Sequence, residues 1–332
     1  MKRYLAVAVT TVFFLILMSL MVFFMLFRDT SSESGLLTSG DNPDGVLLYT
    51  ENAEELFAEE EPLTGKDGFF AIPLQEGVKK EDIKIDDMPL DEMTLITIPF
   101  TDEDYYYKHN LFGSRDRISQ IGFKAADGKV VFEIHTDGIC RITMESDKRC
   151  MYIRYDDLHD IYDSIILVDP AHGGDDRGSE AYEICEKDLT LSIAEKLREP
   201  EDGSVGIYFT RTDDRTVSAE KREEYAEKLR PDLLITLHTN ADDSTRITRG
   251  AEVYYNNDML GQKAEKLADD LVRLSGAPEK NVVLKKKIPG FEDKDIPCIY
   301  VGPGFITNRS EALLMADDEY EEKAAKALEE LF

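Results

Sequence analysis

Two short apolar runs, each closing on a histidine, constrain this chain more than any other feature. Ile165, Ile166, Leu167 and Val168 lead through Asp169, Pro170 and Ala171 to His172 and two glycines, and PDLLITLHTN carries a second run into His238. Short unbroken apolar runs bounded by turn residues read as strands buried on both faces, the kind found in parallel sheets covered by helices. Parallel neighbours would bring both imidazoles to one rim, outside the carboxyl ends of the strands, where open α/β sheets keep their sites. Between them, EKDLTLSIAEKL repeats Leu189, Ile193, Ala194 and Leu197 at helical spacing and begins with Glu186. Two imidazoles and one carboxylate are the ligand count of a catalytic zinc, whose fourth position is left to water.

A histidine at a strand end is more often structural, so the order of the surrounding strings carries more than any one of them. VDPAHGG, EKDLTLSIAEKL, TRTDD with Arg222 after it, LITLHTNA, GAEVYY from Gly250 to Tyr255, and GFITN follow one another from about residue 164 to the end. This order and spacing resemble the zinc-dependent N-acetylmuramoyl-L-alanine amidases of the Amidase_3 family. The resemblance implies an α/β fold around a mostly parallel sheet flanked by helices, with Zn2+ held by His172, Glu186 and His238. It implies peptidoglycan as substrate, cut at the amide between the lactyl group of N-acetylmuramic acid and L-alanine. That reaction needs a Lewis acid and a general base that passes the water's proton to the leaving amine.

The chain departs from the family pattern at the position that should carry the general base. Where the family carries a catalytic glutamate just before the last Gly-Phe, IPCIYVGPGFITN has Gly302, and Pro297, Gly304, Phe305 and Asn308 hold that alignment in place. Two readings stay open. In the first, the chain is an active amidase and another acid moves the proton: Glu292, Asp293 or Asp295 before the strand, or Asp175 or Asp176 after His172. In the second, it is a degenerate pseudoamidase that binds zinc and murein as a wall-binding or regulatory module. Glu252 accompanies an intact catalytic glutamate in the family, which makes it a poor replacement. Arg211, Asp213 and Arg222, near a helix expected to begin at Ser218, are expected to fix loop geometry, and Asn240 to orient a ligand imidazole.

Ahead of the amidase-like part (161–332), the sequence divides into a transmembrane anchor (1–28), an acidic flexible linker (29–62) and a small antiparallel β domain (63–160). Tyr4 to Phe27 is an uncharged apolar run, long enough at 1.5 Å per residue to cross a core of about 30 Å. Lys2 and Arg3 precede it and only Arg28 follows closely, which predicts a single-pass cell-membrane protein with its C-terminal domains outside. The linker is polar and acidic, with a short helix expected near Ala53 to Ala58. Period-two runs predict strands at Ile118 to Lys124, Val130 to His135, Ile139 to Met144 and Met151 to Tyr155. The aromatic string Asp104 to His109 is expected at an exposed turn or a core edge.

A formal charge of -29 repels phosphate backbones, so nucleic acid is excluded as a partner. Anionic wall polymers are repelled too, which leaves localisation to the membrane anchor. Cys140, Cys150, Cys185 and Cys298 are predicted to form no disulfide, since a turn centred near Asp147 sets Cys140 opposite residue 154. Some members of the family it resembles carry a long helical insertion that blocks the cleft, and the passage from Tyr255 to the next helix near Met259 leaves no room for one. Control therefore falls to the β domain, to a membrane partner or protein regulator, or to the lost catalytic group.

Overall fold

The computed structural model describes residues 66–332, apart from 101, 103–104, 277–281 and 293–294, together with the strand Val46–Leu48. The anchor expected over 1–28 and the helix expected near Ala53 to Ala58 lie outside the described residues. Among those described, no helix is long and apolar enough to cross a membrane.

The strands before residue 160 are β1 (Val46–Leu48), β2 (Phe70–Pro73), β3 (Lys84–Met88), β4 (Met93–Pro99), β5 (Phe112–Gly113), β6 (Ile118–Ala126), β7 (Lys129–Thr136), β8 (Cys140–Ser146) and β9 (Cys150–Asp157). They form two antiparallel sheets, in the orders β1-β6-β7-β4-β3 and β5-β2-β9-β8. Alternation decides which side chains point inward: in β4, Thr94, Ile96 and Ile98 are buried, and in β7, Val130, Phe132 and Ile134. The apolar ones pack with Ile72, Ile153 and Tyr155 of the other sheet in one core. The helical turn α1 (Tyr105–Lys108) adds Tyr106, buried edge-on against Phe132 at 5.2 Å, so the aromatic string is a core edge.

Strand β1 falls inside the stretch assigned to the flexible linker. Its three apolar residues pair with Gly122 to Lys124. Average composition hid a short apolar run whose backbone hydrogen bonds are supplied by the edge of a neighbouring strand.

After the single turn α2 (Leu158–Ile161), the C-terminal part runs β10 (Ser164–Pro170), the small hairpin β11 (Glu180–Ala181) and β12 (Ile184–Cys185), α3 (Glu186–Glu195), β13 (Val205–Phe209) and α4 (Ala219–Leu229). It continues through β14 (Leu233–Leu237), β15 (Glu252–Tyr255), α5 (Gly261–Ser275), β16 (Val282–Lys285), β17 (Cys298–Gly302), α6 (Arg309–Met315) and α7 (Asp318–Glu329). One sheet results, in the order β13-β10-β14-β17-β15-β16. Pairings are parallel except between β15 and β17. Helices α3, α5 and α7 cover one face through Leu189, Ile193, Leu267, Leu271 and Leu328. On the other face Tyr225, Ala226 and Leu229 of α4 lie over Ile165, Leu167 and Leu234. Burial on both sides is why β10 and β14 are apolar without alternation.

The β region docks on α4. Leu90 enters the second core, Asp91 accepts a hydrogen bond from the Tyr225 hydroxyl at 2.7 Å, and Glu92 pairs with Lys228 at 3.3 Å. In the β8/β9 hairpin Cys140 faces Asp157 rather than residue 154, because the turn closes between Asp147 and Cys150. Cys140 and Cys150 thus sit at opposite ends of the strand pair, out of disulfide reach.

Candidate metal centre

His172 follows β10 with φ +63°, a left-handed conformation that costs a residue with a Cβ some strain. Two buried arginines hold the turn. Arg222 pairs through Nη1 with the Asp169 carboxylate and donates through Nη2 to the His172 carbonyl at 2.6 Å. Arg211 donates to the carbonyls of Pro170 (2.9 Å), Ala171 (3.0 Å) and Lys187 (2.8 Å), tying the turn to the first turn of α3. Burial, then the neighbouring Arg222 charge, pulls the Arg211 pKa down. Both side chains serve the backbone of the turn, the role the sequence assigns them.

Glu186 opens α3 with its side chain buried. Its Oε2 accepts from the Ser179 N–H and its Oε1 from the Thr239 N–H, each at 2.9 Å. His172 Nε2 lies 3.3 Å from Oε2, and His238 Nδ1 lies 3.2 Å from Oε1. Burial works to raise the Glu186 pKa, but the two imidazoles and the two backbone donors outweigh it and hold the carboxyl far below its usual range. His172 shifts upward, first through its hydrogen bond to Glu186, against burial, and then through Asp176. The Asp176 carboxylate takes His172 Nδ1 at 2.8 Å, which leaves Nε2 for the centre of the cluster. His238 is backed by the Tyr300 ring, stacked at 4.7 Å.

Three donor atoms, one from each residue, lie within 4.8 Å of one another. Ligands about 2.0 to 2.2 Å from a tetrahedral ion stand roughly 3.3 Å apart; His172 Nε2 and His238 Nδ1 come that close to the Glu186 carboxylate, the first to Oε2 and the second to Oε1. The donor set fits zinc. Gly178 makes the approach feasible: at φ +65°, a Cβ there would stand 2.5 Å from His172 Cδ2 and 2.8 Å from Glu186 Oε2.

The acids offered in place of a glutamate at 302 fare differently. Glu292 and Asp295 line a groove with Asn256 and Pro297 at the start of β17, whereas Gly302 ends that strand. Four residues at about 3.3 Å each separate the two ends. Asp293 lies outside the described residues. Asp176 is engaged by His172, and the Asp175 backbone N–H is held by the Thr216 hydroxyl at 3.2 Å. Asn240 does not touch a ligand imidazole as expected. Its Nδ2 donates to the Gly302 carbonyl at 3.0 Å, bracing the ends of β14 and β17. Sequence reasoning missed Glu311, a buried brace whose carboxylate accepts from the N–H groups of Gly250 (2.9 Å) and Phe305 (2.8 Å). Its position three residues after Asn308, which caps α6, was the available signal.

Residues 166–330 match the Amidase_3 family, N-acetylmuramoyl-L-alanine amidase. The germination-specific N-acetylmuramoyl-L-alanine amidase of Bacillus subtilis (strain 168) is 30% identical over 183 residues, a span of 49% of this chain and 76% of that protein. The chain belongs to the Amidase_3 family. An uncharacterised relative, YqiI of Bacillus subtilis (strain 168), is 28% identical over 175 residues, covering 49% of this chain and 80% of its own. A solved N-acetylmuramoyl-L-alanine amidase from Clostridium difficile 630 is 25% identical, with 51% of this chain and 94% of that one aligned at a TM-score of 0.46. The Amidase_3 match begins in β10, so the two antiparallel sheets lie ahead of it.

Proposed function

We propose that this Amidase_3 chain holds a zinc ion on His172, Glu186 and His238 and hydrolyses the amide between N-acetylmuramic acid and L-alanine in peptidoglycan. The convergence of two imidazoles on one buried, ionised carboxylate carries the reading. When bound, zinc supplies a Lewis acid that polarises the scissile carbonyl and makes water nucleophilic near neutral pH. Asp176 fixes the tautomer of His172, the Ser179 and Thr239 amides keep Glu186 charged, and the Tyr300 ring closes off the far side of His238.

A second reading, a pseudoamidase that binds zinc and murein without cutting it, is favoured by Gly302, which has no side chain to move a proton. Incubating the full-length, zinc-loaded chain with purified peptidoglycan separates the two. New lactyl-muramic ends and free alanine amines, seen by mass spectrometry, support the amidase. Binding without new ends overturns it in favour of the second reading.

The proposed address is the outer face of the cell membrane, with residues 4–27 as anchor. It is supported by the uncharged apolar run and the basic residues before it. Protease that reaches the C-terminal part only after the membrane is broken would refute it.

A further inference from the structure

Gly302 interrupts a row of side chains, and the residue directly across from it is Glu252. Strands β15 and β17 are antiparallel, with Glu252 opposite Gly302 and Tyr254 opposite Tyr300. Opposed residues of neighbouring strands project from the same face of a sheet. The Tyr254 and Tyr300 rings meet at 5.2 Å, and Tyr300 stacks on His238 at 4.7 Å, so this is the face on which His238 joins the donor cluster. Glu252 stands one pair further along, at the end of β17 where the strands carry their site. It is half-buried, and its Oε2 accepts a hydrogen bond from the Tyr254 hydroxyl at 2.6 Å, which holds the carboxylate over this face.

Cβ atoms of opposed residues lie about 5 Å apart, a gap that a glutamate side chain crosses. With glycine at 302, β17 puts no side chain there, and the Asn240 amide fills the place a Cβ would take. We propose that Glu252 is the catalytic proton acceptor of this chain, acting from β15 where the family acts from β17. The second glutamate expected beside it from the family resemblance has no counterpart here, where Gly302 stands. The inference rests on the amidase reading above.

The step balances as a hydrolysis. The water oxygen forms a bond to the lactyl carbonyl carbon while one water proton passes to Glu252. The C–N bond then breaks with its electron pair going to the alanine nitrogen, and Glu252 returns the proton to that nitrogen. The products are a lactyl carboxylic acid and a free amine.

The test compares the full chain with Glu252→Gln, an isosteric change at a half-buried site. Two quantities are read: release of lactyl-muramic ends, and proton uptake when a phosphinate analogue of the muramoyl-L-alanine amide binds, followed by calorimetry in buffers of different ionisation heat. The proposal expects Glu252→Gln to lower kcat by about 100-fold or more with KM and zinc content retained, and to abolish the proton uptake seen with the unaltered chain. Equal kcat, equal proton uptake, or a loss that follows zinc content overturns the role of Glu252 while the amidase reading stands. No ends from the unaltered chain overturns both.

Discussion

The Oδ1 atom of Asn240 lies 2.0 Å from the point where a Cβ on residue 302 would stand. Its neighbour Nδ2 is bonded to the Gly302 carbonyl at 3.0 Å, and Asn240 is buried. The amide has therefore taken the volume that a side chain at 302 would need. The position is a packed feature of the fold, and placing a glutamate at it requires Asn240 to move.

Gly302→Glu alone is expected to leave activity no higher than that of the unaltered chain. Displacing Asn240 breaks at least one hydrogen bond, and the cost is about 1 to 3 kcal/mol, read as a lowered urea midpoint at unchanged slope. Gly302→Ala should show the same loss on a smaller scale. Combining either change with Asn240→Ala should recover part of it, a non-additivity that a double-mutant cycle measures. Full stability and a large gain in rate from Gly302→Glu would show that Asn240 yields freely.

Gly178→Ala should empty the metal centre. The new methyl meets His172 Cδ2 and Glu186 Oε2 at 2.5 and 2.8 Å, on a backbone at φ +65°. Zinc stoichiometry by elemental analysis should fall well below that of the unaltered chain, while the far-ultraviolet circular dichroism stays close to it. An alanine variant that still retains zinc in full would contradict the packing described around the cluster.

Arg222→Met keeps most of the volume but leaves Asp169 buried beside Thr210 and Thr236 without its charged partner. Removing one partner of a buried pair costs roughly 3 to 5 kcal/mol. The His172 carbonyl also loses its donor, so zinc affinity should fall together with the denaturation midpoint. A stable variant with weakened zinc binding would assign Arg222 to the turn alone.

Zinc affinity should fall with pH. In the metal-free chain the His172 pKa is raised, chiefly by Glu186, and the stability this proton contributes is complete below the unfolded value of about 6.5. It is lost as pH rises through the raised folded value. Zinc takes neutral imidazole and competes with that proton, so loading at lower pH should release more protons and proceed more weakly. Asp176→Asn removes a partner that raises His172, and should shrink the release. Calorimetry of zinc binding at about pH 6 and about pH 8 checks this, and equal affinity and proton release at both would refute it.

What was legible in the sequence was local. The runs into His172 and His238 announced buried strands because residues covered on both faces cannot alternate, and Glu186 announced itself by standing ahead of a helical repeat. Strands β6 to β9 could be read from period two, and β4 carried the same signal in MTLITIP. The run at Val46–Leu48 escaped because it is three residues long and its partner lies more than seventy residues away. Spacing also placed Glu292 and Asp295 close to Gly302 in sequence, yet the strand between them carries the two ends apart.

The sequence by itself determined which residues are able to form the centre and that position 302 carries no side chain, since ligand type, strand burial and helix period are properties of short stretches of chain. Only the tertiary structure decided that Glu186 lies between two imidazoles, that Asn240 fills the volume beside Gly302, and that Glu252 stands directly opposite it. Each of these depends on the register between strands far apart in sequence, and register follows from packing that no single stretch encodes.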